Sequence, residues 1–231
     1  MEYRPSTLKE RKSFYEHEFS IKKVKSFFKG RKLPQVCALD AGSDTGIILN
    51  KKLNGVMFYF LFSDLRKKIK KYIPEDLYYD RNTYRNPNKF LDNLNSRDYL
   101  KQELIFDVDT DNIKCKCKGK HKVCDRCLGK AHKQTLKMNK RLKKYFRKTR
   151  IVYSGKGFHI HVLDKKAYSM GREERKKFVR KFKKFPIDPW VSTGNISLVR
   201  MPYSLNATVS RIVLPLNKFQ SKKTIPKFLG T

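Results

Sequence analysis

Residues 103–109 read Glu-Leu-Ile-Phe-Asp-Val-Asp, an apolar run that carries two carboxylates, Asp107 and Asp109, with one valine between them. In a pleated strand alternate side chains share a face, so both carboxylates point the same way, about 7 Å apart. An apolar strand tolerates two like charges on one face when a cation or a partner neutralises them, because unpaired buried carboxylates are costly. A divalent ion is the simplest such cation. Hard oxygen donors favour Mg²⁺ or Mn²⁺ over zinc, and such ions accompany nucleoside triphosphates. The competing reading is a half-exposed strand with two solvated carboxylates, and Asp-x-Asp alone does not separate the two.

A second, softer ligand set follows. Cys115, Cys117, His121, Cys124 and Cys127 fall within thirteen residues of a hydrophilic, lysine-rich stretch, and Cys124-x-x-Cys127 has the spacing at which a tight turn brings two sulfurs onto one Zn²⁺. Free surface cysteines among lysines would be thiolates open to oxidation. Four ligands suffice, so the expected set is Cys115, His121, Cys124 and Cys127, with Cys117 as the alternative to Cys115. A closed site of this kind is structural, which leaves any catalytic ion to the aspartates. Cys37 stands apart and reads as a buried small hydrophobe.

A third group lies in Ile151-Val-Tyr-Ser-Gly-Lys-Gly-Phe-His-Ile-His-Val162. Two strand-like pieces flank Ser154-Gly155-Lys156-Gly157, whose glycines let the backbone approach a phosphate while Ser154 and Lys156 add a hydroxyl and a charge. It is not a Walker loop, because the spacing differs and a strand rather than a helix follows. Phe158, Ile160 and Val162 share one face of that strand, leaving His159 and His161 on the other. Either could bond a phosphate, and for His161 a packed structural role has equal weight. Asp188, in Ile187-Asp-Pro-Trp-Val191, is a further isolated carboxylate.

The elements that must hold these groups are mixed. Val36–Leu39 and 56–62 are apolar runs separated by glycine and Asn54-Gly55 turn signals, as expected of paired strands. Ser63-Asp64 offers an N-cap for a basic helix reaching Tyr72 before Pro74. Residues 77–87, rich in Tyr, Arg and Asn, read as loop. Residues 131–150 suggest a surface helix with Leu136, Leu142, Tyr145 and Phe146 as its apolar stripe, and 172–185 a helix with Phe178, Val179, Phe182 and Phe185 inward. Residues 211–216 are strand-like. The secondary structure at the N-terminus is ambiguous, and no fold is assigned to 221–231.

The chain has 231 residues, 13% aromatic, and 55 Lys plus Arg against 21 Asp plus Glu, a formal charge of +34. It is long enough to bury a real core. A charge this large points to nucleic acid, where phosphate neutralisation supplies sequence-independent affinity, although anionic lipid or an acidic protein would also be attracted. No run is long enough for a membrane span, the charged N-terminus lacks a signal-peptide core, and the cysteine usage suits a reducing compartment, so a soluble intracellular protein is expected.

Taken in this order, these stretches resemble the small catalytic subunit of DNA primase, archaeal type, of the archaeo-eukaryotic primase superfamily, over residues 14–219. Residues 103–109 are similar to its first catalytic motif. Ser154–Val162 resembles its Ser-Gly-x-Gly-x-His-x-His-Val motif, and Asp188 with Leu198-Val-Arg-Met-Pro-Tyr-Ser-Leu-Asn206 resembles the third. The resemblance implies an α/β (α+β) primase fold: one catalytic domain over 1–231, with a zinc knuckle inserted at 112–130. It implies that Asp107, Asp109 and Asp188 hold two Mg²⁺ or Mn²⁺ ions, and that Ser154, Gly155, Lys156, His159, Arg200 and Asn206 bind the triphosphate. The implied partners are a single-stranded DNA template, a primer, nucleoside triphosphates and a large subunit that often bears an iron-sulfur cluster, in the cytoplasm of an archaeal cell. The chain departs from the family pattern at His17-Glu18-Phe19, where Arg-Glu-Phe is common, at Lys156, where arginine is usual, and at Asn206, where histidine is usual. The rival readings are a primer-extending polymerase of the same superfamily, a metal-dependent nuclease, and a non-catalytic zinc module that binds nucleic acid.

Overall fold

The computed structural model describes residues 3–42, 57–94, 99–115, 123–216 and 219–230. Helices α1 (Leu8–His17) and α2 (Ile21–Phe27) lead into β1 (Val36–Asp40), β2 (Met57–Leu61) and α3 (Leu65–Tyr72). Next come β3 (Asp76–Asp80), β4 (Asn82–Tyr84), α4 (Pro87–Asp92), β5 (Tyr99–Gln102) and β6 (Leu104–Asp109). The second half contains α5 (Asp125–Leu142), β7 (Thr149–Tyr153), β8 (Gly157–Val162), α6 (Lys165–Tyr168), α7 (Arg172–Arg180), α8 (Pro189–Thr193), β9 (Leu198–Arg200), β10 (Leu205–Asn206), β11 (Arg211–Ile212) and β12 (Leu214–Leu216).

The strands make two antiparallel sheets and a small β4–β5 ribbon. The first has the order β11-β10-β3-β1-β2, with β9 also on β3, and the second the order β12-β7-β8-β6. Alternation on the second sheet decides where the carboxylates go. Leu104, Phe106 and Val108 of β6, with Phe158, Ile160 and Val162 of β8, are fully buried against α5 and α7. Ile105 and Val152, on the opposite face, join the other core, built from α1, α2, β1 and β3 around Phe14, Val24, Phe27, Leu39, Leu77 and Tyr79. Asp107 and Asp109 share that second face with Ile105. Cys37 is buried in this core, as its isolation from the other cysteines suggested.

The N-terminal residues of ambiguous pattern form two helices. Thr7 caps α1 and Glu10 reaches back to the Thr7 backbone N–H, a reciprocal capping box. The basic helix after Asp64 runs to Tyr72 as expected, with Asp64 at its N-cap position but making no side-chain bond there.

Two expectations need correction, and one stretch left unassigned carries structure. Residues 77–87 are not loop: β3 is an inner strand of the first sheet, with Leu77 and Tyr79 buried on one face, and β4 follows directly. Tyrosine and aspartate obscured a period-two pattern that tertiary burial and buried hydrogen bonds sustain. The lysine-rich helix spans Asp125–Leu142 rather than 131–150, leaving Tyr145 and Phe146 beyond its end, and its inward stripe is Leu128, Ala131, Thr135, Met138 and Leu142, while Leu136 is 46% exposed. The tail also carries structure: short 3₁₀ turns at Ser221–Thr224 and Lys227–Leu229, tied to α1 by a bond from the Lys227 backbone N–H to Glu18 at 2.9 Å. The Asn54-Gly55 turn lies outside the described residues.

Candidate active site

β6 and β8 pair in a register that sets Asp107 opposite His159 and Asp109 opposite Gly157. Glycine is required there, because a Cβ on Gly157 would lie 2.4 Å from the Val108 carbonyl oxygen and 2.8 Å from Asp109 Cα. The third carboxylate arrives from far along the chain. The Asp188 backbone N–H donates to the Asp107 carbonyl at 2.8 Å, and the Asp188 side chain caps α8, accepting from the N–H groups of Trp190 at 2.7 Å and Val191 at 3.3 Å. Buried Arg81 braces this segment by donating to the carbonyls of Val191 and Ile196.

Asp107, Asp109, Ser154, Lys156, His159 and Arg200 line one cavity of about 180 Å³, together with Tyr78, Val191, Leu198 and Val199. It opens where β3 and β9 of the first sheet meet the polar face of the second. Its carboxylates are electrostatically strained. Burial, then the charges of Asp109 and Asp188, push the Asp107 carboxyl well above the ordinary carboxylate range, and burial raises Asp109 as well. Asp107 Oδ1 is shielded from solvent without a hydrogen-bond partner, the nearest cationic candidate being His159 Nε2 at 3.5 Å. Burial and then neighbouring His161 hold the His159 imidazole well below its usual range, so it is neutral at pH 7 and does not balance the charge. An all-oxygen donor set with a buried, unsatisfied carboxylate oxygen fits a hard divalent cation.

The 154–157 turn stands beside it. Gly155 has φ +102°, the Ser154 N–H donates to the Gly157 carbonyl at 3.0 Å, and Ser154 Oγ accepts from the Gly157 N–H at 3.2 Å. Asn206 is buried behind this turn, with its amide NH₂ on the Ser154 carbonyl at 2.8 Å and its Oδ1 accepting from Thr208. Gly155 and Asn206 are therefore at the back of the cavity rather than on its wall. Arg200 is held by the Asp76 carboxylate and lies over the Tyr78 ring at 5.3 Å.

His161 takes a different place. Its Nδ1 lies 3.1 Å from Glu103, which also receives Arg31 at 2.8 Å and the Tyr79 hydroxyl at 2.8 Å. Burial pushes the Glu103 carboxyl up, but His161, Arg31 and Tyr79 outweigh it and hold it at about 2. This network of buried charge is the part of the region that sequence reasoning missed. Glu103 precedes the Asp-x-Asp strand, but its partners come from residues distant in the chain.

At the other metal candidate, the sulfurs of Cys115, Cys124 and Cys127 lie within 4.8 Å of one another, with Cys115 and Cys124 3.8 Å apart. Tetrahedral ligands at the usual Zn–S bond length are about 3.8 Å apart, so the three thiols fit one zinc ion. Cys124 also caps α5, its sulfur accepting from the Cys127 N–H at 3.4 Å. Val123 and Leu128 anchor the knuckle in the core of the second sheet. His121 and Cys117 lie outside the described residues.

Comparison with known proteins places this geometry in context. Residues 106–187 match the family model described as DNA primase small subunit. The chain is 36% identical over 238 residues to an uncharacterized DNA primase small subunit-like protein of Archaeoglobus fulgidus, an alignment that covers 93% of this chain and 85% of the relative. It is 32% identical to the DNA primase small subunit PriS of Pyrobaculum arsenaticum, over 62% of this chain and 45% of the relative. With PriS of Methanobrevibacter smithii it shares 31% identity, over 76% and 51%. It thus spans about half the length of these PriS relatives.

Proposed function

Because this chain belongs to the DNA primase small subunit family, we propose that it is the catalytic part of a DNA primase, a template-directed nucleotidyltransferase that makes short primers on single-stranded DNA. The observation that carries this reading is the shared cavity. Two strand carboxylates, the Ser154–Gly157 turn, Lys156, His159 and Arg200 converge there, with Asp188 bonded through its backbone to Asp107.

Asp107, Asp109 and Asp188 would hold Mg²⁺ or Mn²⁺, which supplies activation of a 3′-hydroxyl and charge stabilisation on the leaving pyrophosphate. Ser154 and Lys156 present a hydroxyl and a positive charge to the triphosphate. Gly155 sets the left-handed turn, and Asn206 fixes its shape from behind through the Ser154 carbonyl. Neutral His159 can donate one N–H to a phosphate oxygen. Arg200, anchored by Asp76, keeps its charge at the cavity wall, where negative charge develops as pyrophosphate leaves. Cys115, Cys124 and Cys127 would hold Zn²⁺, which would brace the knuckle structurally. Metal analysis should find about one zinc per chain, lost in Cys124→Ser, and a zinc-free protein with an intact fold would remove this assignment.

The test of the main reading is incorporation of labelled ribo- and deoxyribonucleotides on single-stranded DNA with Mg²⁺ or Mn²⁺, with and without a primer, beside Asp107→Ala/Asp109→Ala. New chains on an unprimed template, absent in the double variant, are expected. Extension of supplied primers alone would assign chain initiation to a partner such as a large subunit. No incorporation under any condition would refute the reading, and shortened oligonucleotides would indicate a nuclease.

A further inference from the structure

Two clefts outside the carboxylate cavity adjoin one another across residues 181–187. One, of about 580 Å³, lies between α7 and α8 and is lined by Arg180, Lys183, Phe185 and Trp190 among others. The second, of about 540 Å³, lies along α5 and is lined by Lys133, Lys137, Lys184 and the same Phe185. Together they present eight lysines and arginines, and no described carboxylate lines either. One of the eight, Lys176, is paired with Glu173 at 2.8 Å; no carboxylate shares the cleft lining with the other seven.

Trp190 stands in the first cleft, 63% exposed. A tryptophan left in solvent has given up the burial that its large apolar surface would normally gain. Its placement is fixed: Pro189 and Trp190 open α8, and the Trp190 backbone N–H donates to Asp188 Oδ1 at 2.7 Å. The indole is therefore carried on the same short segment as the third carboxylate. A flat π-face beside a row of lysines and arginines matches a single-stranded nucleic acid, whose bases stack while its phosphates meet the cations. Val179, Phe185, Ile187, Pro189 and Trp190 give the first cleft an apolar floor, and the lysines and arginines that rim both clefts select a polyanion with flat bases over an uncharged apolar partner.

We propose that Trp190 is a base-stacking platform at the end of a basic single-strand path running over residues 181–187 from α5 to α8, which positions the strand next to Asp188. The proposal rests on the nucleotidyltransferase reading only in naming this strand as the template. Trp190 is a positioning residue that touches a base away from the reacting atoms.

The chain has one tryptophan, so emission excited selectively from tryptophan, apart from the 12 tyrosines, reports on this platform alone. The experiment titrates the full chain, with nucleotide and Mg²⁺ omitted to exclude chemistry, with fluorescein-labelled oligo(dT) and with an abasic strand of equal length. Anisotropy reads binding of the label, and unlabelled strands are used to read emission. Oligo(dT) should quench Trp190 in step with binding, whereas the abasic strand should bind about tenfold more weakly and leave the emission unchanged. Trp190→Leu should lose about tenfold in oligo(dT) affinity, and Trp190→Phe should recover most of it. The side chain is exposed, so neither variant should alter the fold, which circular dichroism checks. Binding without quenching, equal binding by Trp190→Leu, or no binding at all would overturn the platform. Quenching in a protein that incorporates no nucleotide would sustain the platform and refute the polymerase reading, so the two fail separately.

Discussion

The pKa values of two carboxylates in this protein are displaced in opposite directions. Asp107 is raised by burial and by Asp109 and Asp188, so in the metal-free protein its ionised form opposes folding. Its contribution falls as pH rises from the ordinary carboxylate range through the raised value. Asp107→Asn should therefore raise the metal-free melting temperature at pH 7 and flatten that pH dependence. It should also abolish the stabilisation by Mg²⁺ and lower nucleotide incorporation by on the order of a thousandfold. Thermal melts with and without Mg²⁺ read the first effects, and a variant less stable than the parent without Mg²⁺ would contradict the account. Glu103 is the reverse. Despite burial, its partners hold it at about 2 against an ordinary 4.5, so its contribution is full above about 4.5 and is lost as pH falls toward 2. Glu103→Gln should cost about 3–5 kcal/mol in urea unfolding at pH 7, because Arg31 is left without its buried partner. A change below about 1 kcal/mol would show that the pair is worth little.

The elements matter through how closely they approach. β6 and β8 can pair in their observed register only because Gly157 has no side chain to meet the Val108 carbonyl. Gly157→Ala forces backbone atoms apart directly beneath Asp109. It should destabilise the protein by about 1–3 kcal/mol and reduce incorporation beyond what that loss explains, since the carboxylates shift relative to the turn. Incorporation at the parent rate, measured well below the variant's melting temperature, would show that the register is not needed. The β3 strand illustrates a different dependence. Its Tyr78 lines the cavity and its Asp76 holds Arg200, so a segment with loop-like composition supplies part of the site wall.

Across the whole molecule, tertiary structure gathers eight of the 55 lysines and arginines, from segments far apart in the chain, around two adjoining clefts that no local motif marks. If a single strand follows the path past Arg180, Lys183 and Lys184, neutralising about six phosphates, its log-log salt dependence has a slope of roughly −4. Lys183→Glu/Lys184→Glu should reduce that slope by at least about one, while Trp190→Leu should lower affinity and leave the slope unchanged. A double variant with the parental slope would place the phosphates elsewhere. Among the described residues no helix is long and apolar enough to cross a membrane.

Features governed by local geometry were legible in the sequence. Period-two alternation put Asp107 and Asp109 on one face of β6 and separated His159 and His161 from Phe158, Ile160 and Val162, because backbone pleating depends only on neighbours. The Ser154–Gly157 turn and the Cys124-x-x-Cys127 knuckle were legible for the same reason: their atoms meet within a few residues. Tertiary structure decided what joins them. It brought Asp188 to the Asp107 backbone, set Arg200 on Asp76, placed Asn206 behind Ser154, and chose for His161 the packed structural role, as partner of Glu103, over the phosphate contact that the sequence left equally open. It also left Trp190 in solvent, although an apolar residue beside Val191 has every local reason to be inside. Such contacts arise between segments far apart in the chain, where the free energy depends on which surfaces pack and which charges lose water together, and no local pattern of residue types encodes that.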